Sequence, residues 1–170
     1  MAEEPAVPAL GRGEQVLELR KEAFTMALYV AICLLAALIA VPEDAVEHTS
    51  MLGLIWGITL GLALAHWFAF RVSARLVGAG TVRASDVESA GAQLVGAAGV
   101  AVLASLAVVL LPDSVELEFV EFLLAAFVSL IGFAVARGGG ASFLGAVLYA
   151  LSVLVVAVLI AIVKNVLAGH

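Results

Sequence analysis

The chain has 170 residues, of which 64% are apolar and 13% are charged, with a formal net charge of −6 and a mean hydropathy of +1.19. Apolar residues make up about 45 to 50% of an ordinary soluble domain, so this composition excludes a chain folded mainly in water. No basic, aromatic-rich stretch is present, and nucleic acid is therefore not an expected partner. The lone cysteine, Cys33, excludes an intramolecular disulfide. We expect an all-α, polytopic integral membrane protein surrounded by the lipid bilayer.

The apolar runs, taken in chain order, predict five transmembrane helices. Residues 1–13 are polar and contain both Pro and Gly, so we expect a disordered N-terminal segment there, followed by a five-helix transmembrane domain over residues 14–168. A helix needs about 20 apolar residues to cross the hydrocarbon core. The expected crossings are 23–41, 51–70, 89–111, 119–136 and 141–163.

The first and the fourth spans each have an alternative interpretation. The first could be a cleaved signal peptide, but the Glu-rich residues 1–22 differ from the short basic segment that opens such a peptide. In the fourth span only residues 122–136 are free of charge, so a full crossing has to include Glu121. If this segment does not cross, the C-terminus lies on the same side as the N-terminus.

The placement of Lys and Arg predicts the orientation of the spans. With five crossings, seven of the eight basic residues fall on one side of the membrane and Lys164 alone falls on the other. The seven are Arg12, Arg20, Lys21, Arg71, Arg75, Arg83 and Arg137. Because cytoplasmic loops carry the excess of basic residues, we expect the N-terminus in the cytoplasm and the C-terminus outside.

The carboxylates divide evenly, seven to each side, so the inner side is near neutral and the outer side, with Lys164 as its one basic residue, is about six charges negative. A negative outer surface would suit the passage or binding of cations, or it reflects only the avoidance of Lys and Arg in outer loops. Arg outnumbers Lys six to two, and Ala, Val, Leu and Gly dominate the apolar residues, a composition typical of a GC-rich bacterial genome. We therefore expect a multi-pass protein of a bacterial cell (inner or plasma) membrane.

Small residues recur every four positions along the second span, at Gly53, Gly57, Gly61 and Ala65. This spacing places them on one face of a helix, where they let another helix backbone approach closely. The pattern predicts packing, either within the chain or between subunits, and not an activity. A homo-oligomer or a membrane partner protein is the expected partner.

The opposite face of the second span carries Thr59 and His66, seven residues apart. An imidazole inside a membrane can relay protons or bind ions, and a polar group there needs a partner. Gln93 in the third span is expected at a similar depth, so these three are candidate ion- or proton-binding residues. The alternative is that His66 only forms a structural hydrogen bond with Gln93 or a backbone carbonyl, or that it lies in the membrane interface beside Trp67 and Arg71. No further metal ligand is suitably spaced, so we expect no metal site.

The fourth and fifth spans are joined by few residues and are expected to pack as an antiparallel pair along their small residues. Counting along the two helices brings Lys164 nearer to Glu118 than to Glu121, so Glu118 and Lys164 form a candidate ion pair. Glu121 lies deeper and is left less well compensated, which makes it a candidate ion- or proton-binding carboxylate. The alternative is that its side chain only extends to the outer interface.

Arg71 and Arg75 lie one helical turn apart at the inner end of the second span. Such a pair can bind anionic lipid head groups or a phosphate, and it can also serve only to anchor the topology.

No P-loop, H-E-x-x-H, G-x-S-x-G or C-x-x-C pattern occurs, so we expect no enzyme activity, no catalytic residue and no cofactor. Two functional hypotheses follow. One is a small oligomeric cation or proton channel or transporter, with Glu121, Thr59 and His66 as polar stations. The other is a non-transporting accessory or scaffold protein that docks a partner through its Gly-rich second helix.

Overall fold

A computed structural model describes residues 11–41, 50–77 and 84–168. These residues form five α-helices and no strand. The helices are α1 (Arg12–Leu38), α2 (Met51–Val77), α3 (Ala84–Leu110), α4 (Asp113–Gly138) and α5 (Phe143–Ala168). By length and composition each of the five can cross a membrane. The prediction of an all-α chain with five such helices is confirmed.

The helices extend beyond the predicted apolar spans at most ends. The apolar run sets which residues lie in the hydrocarbon core, whereas the helix itself can continue into polar turns outside that core. The helix α1 therefore begins at Arg12, and the last two residues of the segment predicted to be disordered are helical; residues 1–10 lie outside the described part of the chain. At this end the carboxylate of Glu14 accepts a hydrogen bond from the backbone N–H of Gly11 at 3.1 Å.

The fourth helix is continuous over 26 residues, about 39 Å at the helical rise, and includes the carboxylates that made this span doubtful. Pro112 precedes it in an extended conformation and lacks a backbone donor, which suits the residue before a helix. The segment predicted at 119–136 is thus the middle of a longer helix.

The first helix lies at the centre of the bundle. It packs against all four other helices. Around it, α2 packs on α3, α3 on α4, and α4 on α5. Four of its apolar side chains are fully buried, at Val30, Ala31, Leu34 and Leu38. The bundle is therefore an arc of four helices around α1, with α2 and α5 at the two ends of the arc.

The most extensive contact joins α1 to α3, which run parallel. Its closest point is Gly96, where an added Cβ would overlap the carbonyl oxygen of Ala23. Two Ala residues that follow on α3, Ala97 and Ala101, are fully buried. Small residues let the two backbones approach, and the approach gives the van der Waals contact that holds helices together in lipid.

The last two helices form an antiparallel hairpin. Its turn includes Gly140, whose φ of +84° suits glycine. A Cβ added at Gly132 would lie 3.3 Å from the Cγ2 of Val153 and 3.4 Å from the Cα of Ala150. The expected antiparallel seam along small residues is confirmed at these positions.

Candidate functional site

The second helix carries most of the residues that sequence reasoning selected, and its two faces are used differently from expectation. The buried face consists of Met51, Ile55, Thr59 and Ala63. It packs chiefly on α3, where the indole N–H of Trp56 donates a hydrogen bond to the hydroxyl of Ser105 at 3.0 Å.

The small-residue stripe lies on the opposite, exposed side of α2. Gly53, Gly57, Gly61 and Ala65 are all exposed, and a Cβ added at Gly57 or Gly61 would meet no atom within 4 Å. Within the described part of the chain the stripe therefore packs against no other helix, and packing between subunits is the alternative that stays open. Ile and Met offer more dispersion contact than Gly, so the larger side chains occupy the seam with the bundle.

Thr59 lies inside the bundle and not on a wet polar face. Its side chain is 2% exposed, and its hydroxyl oxygen has no hydrogen-bond partner among the described residues. Leaving a buried hydroxyl without a partner costs about 1 to 3 kcal/mol. Thr59 therefore differs from the Trp56–Ser105 pair of the same helix contact, whose polar groups bond to each other.

His66 lies on the same helical face as Thr59, two turns further on, but it is exposed. The bundle covers α2 only as far as Ala63, and from Leu64 to Leu76 the helix has almost no buried residue among those described. The two residues therefore do not share one environment.

Gln93 does not meet His66. Its side-chain amide donates a hydrogen bond to Glu22 Oε2 at 2.6 Å. Nearer the start of the same two helices, the side-chain amide of Gln15 donates to Glu88 Oε2, also at 2.6 Å. A hydrogen bond to an ionised carboxylate is shorter and stronger than one between neutral groups. These two bonds connect α1 to α3 and fix their parallel register.

Sequence reasoning missed the role of Glu22, because this residue was assigned to the polar leader before the first apolar run. A helix that begins at Arg12 carries Glu22 into the α1–α3 seam beside Ala23. The available signal was the Gln93 side chain itself, a buried polar group on a helix that needed a partner.

The acidic residues at the start of α4 differ in exposure. Glu116 is buried, at 8% exposed, whereas Glu118 is exposed and Glu121 is half-buried. The predicted partner of Glu118 is Lys164, whose side chain lies outside the described part of the structure, so this ion pair stays a prediction. In the seam with α5, the Ser129 hydroxyl donates to the carbonyl oxygen of Ala125 at 2.8 Å and is satisfied within its own helix.

The opposite end of the bundle, where α1 and α3 begin and α2 and α4 end, is called here the basic end because it carries every Arg whose side chain is described. The guanidinium carbon of Arg71 lies 5.2 Å from the centroid of the Trp67 ring, within the range of a cation–π contact. Arg75 is one turn further along, and both arginines are exposed. Arg137, by contrast, donates from Nη1 to the carbonyl oxygen of Ala141 at 2.8 Å.

No group of three or more His, Cys, Asp or Glu side chains that could hold a metal ion occurs within the described ranges. Five helices of this length and composition are those of a multi-pass membrane protein. Comparison of the chain with protein-family models, with curated proteins and with solved structures finds no match.

Proposed function

We propose that this protein is a non-transporting accessory or scaffold protein of the cell membrane, and that it self-associates through the exposed small-residue stripe of α2. The observation that carries the proposal is the position of Gly53, Gly57 and Gly61 on a helix face that no other described part of the chain covers. A flat glycine surface in lipid is the preferred contact surface for a second helix.

The other end of the arc supports this assignment by contrast. The exposed face of α5 is built of large apolar side chains, among them Leu148, Leu151 and Val155. Large apolar side chains fill the space against acyl chains and need no protein partner. The exposed face of α2 instead presents three glycines in register, which leaves a groove along the helix for closely approaching backbone atoms.

The expected partner is a second copy of this chain, because the stripe is complementary to itself. Two copies inserted in the same direction place their α2 helices parallel, and a two-fold axis along the membrane normal brings the same patch of each into contact. Parallel helices that meet through glycines spaced four apart cross at about −40°. In this arrangement Gly57 lies near the crossing point.

The same proposal includes an orientation in the bacterial cell membrane. The described Arg side chains all lie at the basic end, and the excess of basic residues marks the cytoplasmic side. The N-terminus is then cytoplasmic and, with five crossings, the C-terminus is outside.

The experiment is a replacement of Gly57 by Leu. Because a Cβ added at Gly57 meets no atom of the described residues within 4 Å and the position faces outward, the variant should fold and unfold as the parent does while losing the contact between copies. Donor-labelled and acceptor-labelled copies are mixed in vesicles at several protein-to-lipid ratios, and energy transfer is measured. We expect transfer for the parent and a fall of at least about tenfold in the association constant for Gly57→Leu.

Gly99 supplies the matched control. It is also an exposed helical glycine with no atom within 4 Å of an added Cβ, but it lies on α3 and outside the stripe. Gly99→Leu should associate as the parent does. A parent protein that stays monomeric at every density, or equal association of the two variants, contradicts self-association through α2.

Transport of cations or protons is the second candidate, and the specific observation in its favour is the buried Thr59 hydroxyl that lacks a partner. The half-buried carboxylate of Glu121 is a second polar group within a candidate membrane span. Against it, no hydrogen bond or ion pair joins Thr59, His66 and Glu121 in the described part of the chain.

Ion flux into vesicles that contain the purified protein separates the two candidates. The scaffold proposal expects flux no greater than in empty vesicles. The transport proposal expects flux that falls in Thr59→Val and in Glu121→Gln. Flux that survives both changes and His66→Ala excludes these three residues as ion-binding stations.

A further inference from the structure

The outward face of α2 changes character along its length. Beyond the last glycine of the stripe, Gly61, this face carries Leu64, Phe68, Arg71 and Arg75, spaced by four, three and four positions. Such spacing sets their side chains in one line along a helix. The line passes from an aliphatic side chain through an aromatic one to two cations. This order is complementary to a phospholipid, whose apolar acyl chains lead to an anionic phosphate.

None of these four side chains is covered by the described part of the chain. Leu64 is 61% exposed and Phe68 is 67% exposed, and both arginines are exposed as well. Neither Arg71 nor Arg75 forms a hydrogen bond or an ion pair with a described residue, so their N–H donors face outward without an acceptor. Trp67 lies beside Arg71 at cation–π distance and restricts the position of its guanidinium group.

Two of the other described cations at the basic end already have a partner. Arg137 donates to the carbonyl oxygen of Ala141, and Lys21 lies 3.6 Å from a carboxylate oxygen of Glu18. The helix α2, in contrast, contains no Asp or Glu over its 27 residues. The positive charge at its end is therefore uncompensated within its own helix.

We propose that Arg71 and Arg75 bind the phosphate of an anionic phospholipid, whose acyl chains lie along Leu64 and Phe68. Arginine provides paired N–H donors that match phosphate oxygens, and two guanidinium groups one turn apart can share one head group. The arginines lie near the C-terminal end of α2, and this end of a helix exposes carbonyl oxygens and not N–H groups, so no backbone donor assists. A free phosphate lacks the apolar contact that the lipid gains along the same line, which is why the ligand is a lipid.

The proposal does not depend on self-association, because each copy carries the complete line of residues on its own helix. It is tested on the monomer. Detergent-solubilised protein is titrated with phosphatidylglycerol or with phosphatidylcholine, and the lipid-bound fraction of the monomer is measured by native mass spectrometry. We expect the parent to prefer the anionic lipid, and the double variant Arg71→Gln/Arg75→Gln to lose roughly 30-fold in affinity for it, with little change for phosphatidylcholine.

Arg137→Gln is the matched control, since it removes one cation from the same end of the bundle without touching the line of residues on α2. It should retain the preference of the parent. The variant Arg71→Lys/Arg75→Lys keeps both charges and is expected to retain most of the preference, so it reports on charge if the Gln variant proves less well folded.

Three results overturn the proposal. The first is an equal affinity of the parent for the two lipids. The second is an equal loss in Arg137→Gln and in the double Gln variant, which would indicate a general charge effect of the basic end. The third is complete displacement of phosphatidylglycerol by millimolar inorganic phosphate, which would identify the site as one for free phosphate.

Discussion

Replacing Gly96 by Ala tests whether the parallel contact of α1 and α3 holds the bundle together. An added Cβ would overlap the carbonyl oxygen of Ala23 and would lie only 2.9 Å from its carbonyl carbon. Ordinary contact with a Cβ begins at 3.4 Å, so the carbonyl carbon alone requires the two helices to separate by about 0.5 Å, and the nearer carbonyl oxygen requires more. The atoms in the way belong to the backbone of Ala23, which cannot rotate aside as a side chain can.

The cost follows from what the separation loosens. A gap of about 0.5 to 1 Å removes a quarter to a half of the dispersion energy of the facing atoms, and overpacking of this kind costs about 1 to 3 kcal/mol. The hydrogen bond from Gln93 to Glu22 lies one turn away, and weakening it adds about 1 kcal/mol. We expect Gly96→Ala to lower the free energy of unfolding by about 2 to 4 kcal/mol.

Gly99 gives the control on the same helix, because an added Cβ there meets no atom within 4 Å. Ala is a better helix former than Gly by about 1 kcal/mol, so Gly99→Ala should be neutral or slightly stabilising. Unfolding is measured by titrating detergent-solubilised protein with a denaturing detergent and following tryptophan fluorescence. Equal stability of the two variants would refute the close contact of α1 and α3.

The other contacts between helices give two further expectations, measured by the same titration. Gly132→Leu should lower the free energy of unfolding by about 1 to 3 kcal/mol because its side chain would enter the space of Val153, whereas Gly138→Leu, where nothing lies within 4 Å, should not. Ser105→Ala removes the acceptor of the Trp56 indole N–H and should cost about 0.5 to 1.5 kcal/mol. Ser152→Ala is its control, since that hydroxyl bonds only within α5, and equal losses in the two Ser variants would contradict the assignment.

The number and the approximate places of the helices could be predicted from the sequence because the requirement of about 20 apolar residues per crossing is a strong one. The antiparallel seam of α4 and α5 could be predicted as well. A short connection forces the two helices together, and Gly132, Ala150 and Val153 then meet along the small-residue faces.

The central position of α1 could not be predicted. In lipid the outside of a bundle is as apolar as its interior, so hydrophobicity does not indicate which helix is buried. Small residues are the remaining signal, and it is ambiguous. Gly96 and Ala97 lie in a seam within the chain, whereas Gly57 and Gly61 lie outside, although both sets consist of small residues.

The polar positions were the hardest to interpret for a related reason. Thr59 and His66 share a helical face, and the period of the helix gives no indication that the bundle stops covering this face at Ala63. Gln93 needed a partner, but choosing Glu22 over His66 requires the parallel register of α1 and α3. Register between helices distant in sequence is set by packing, which no local pattern contains.

The two proposals place two partners on one face of α2, and the geometry of crossing helices lets both bind at once. Arg71 lies 14 residues beyond Gly57, about 21 Å along the helix. Two parallel helices that cross at about 40° near Gly57 have axes roughly 15 Å apart at the level of Arg71, well beyond the 8 to 10 Å of packed helices. A phospholipid can therefore reach both arginines in the associated form. Each chain should accordingly carry the same number of bound anionic lipids as a monomer and as a dimer, and a loss of lipid on association would place the contact between copies nearer to the arginines than to the glycines.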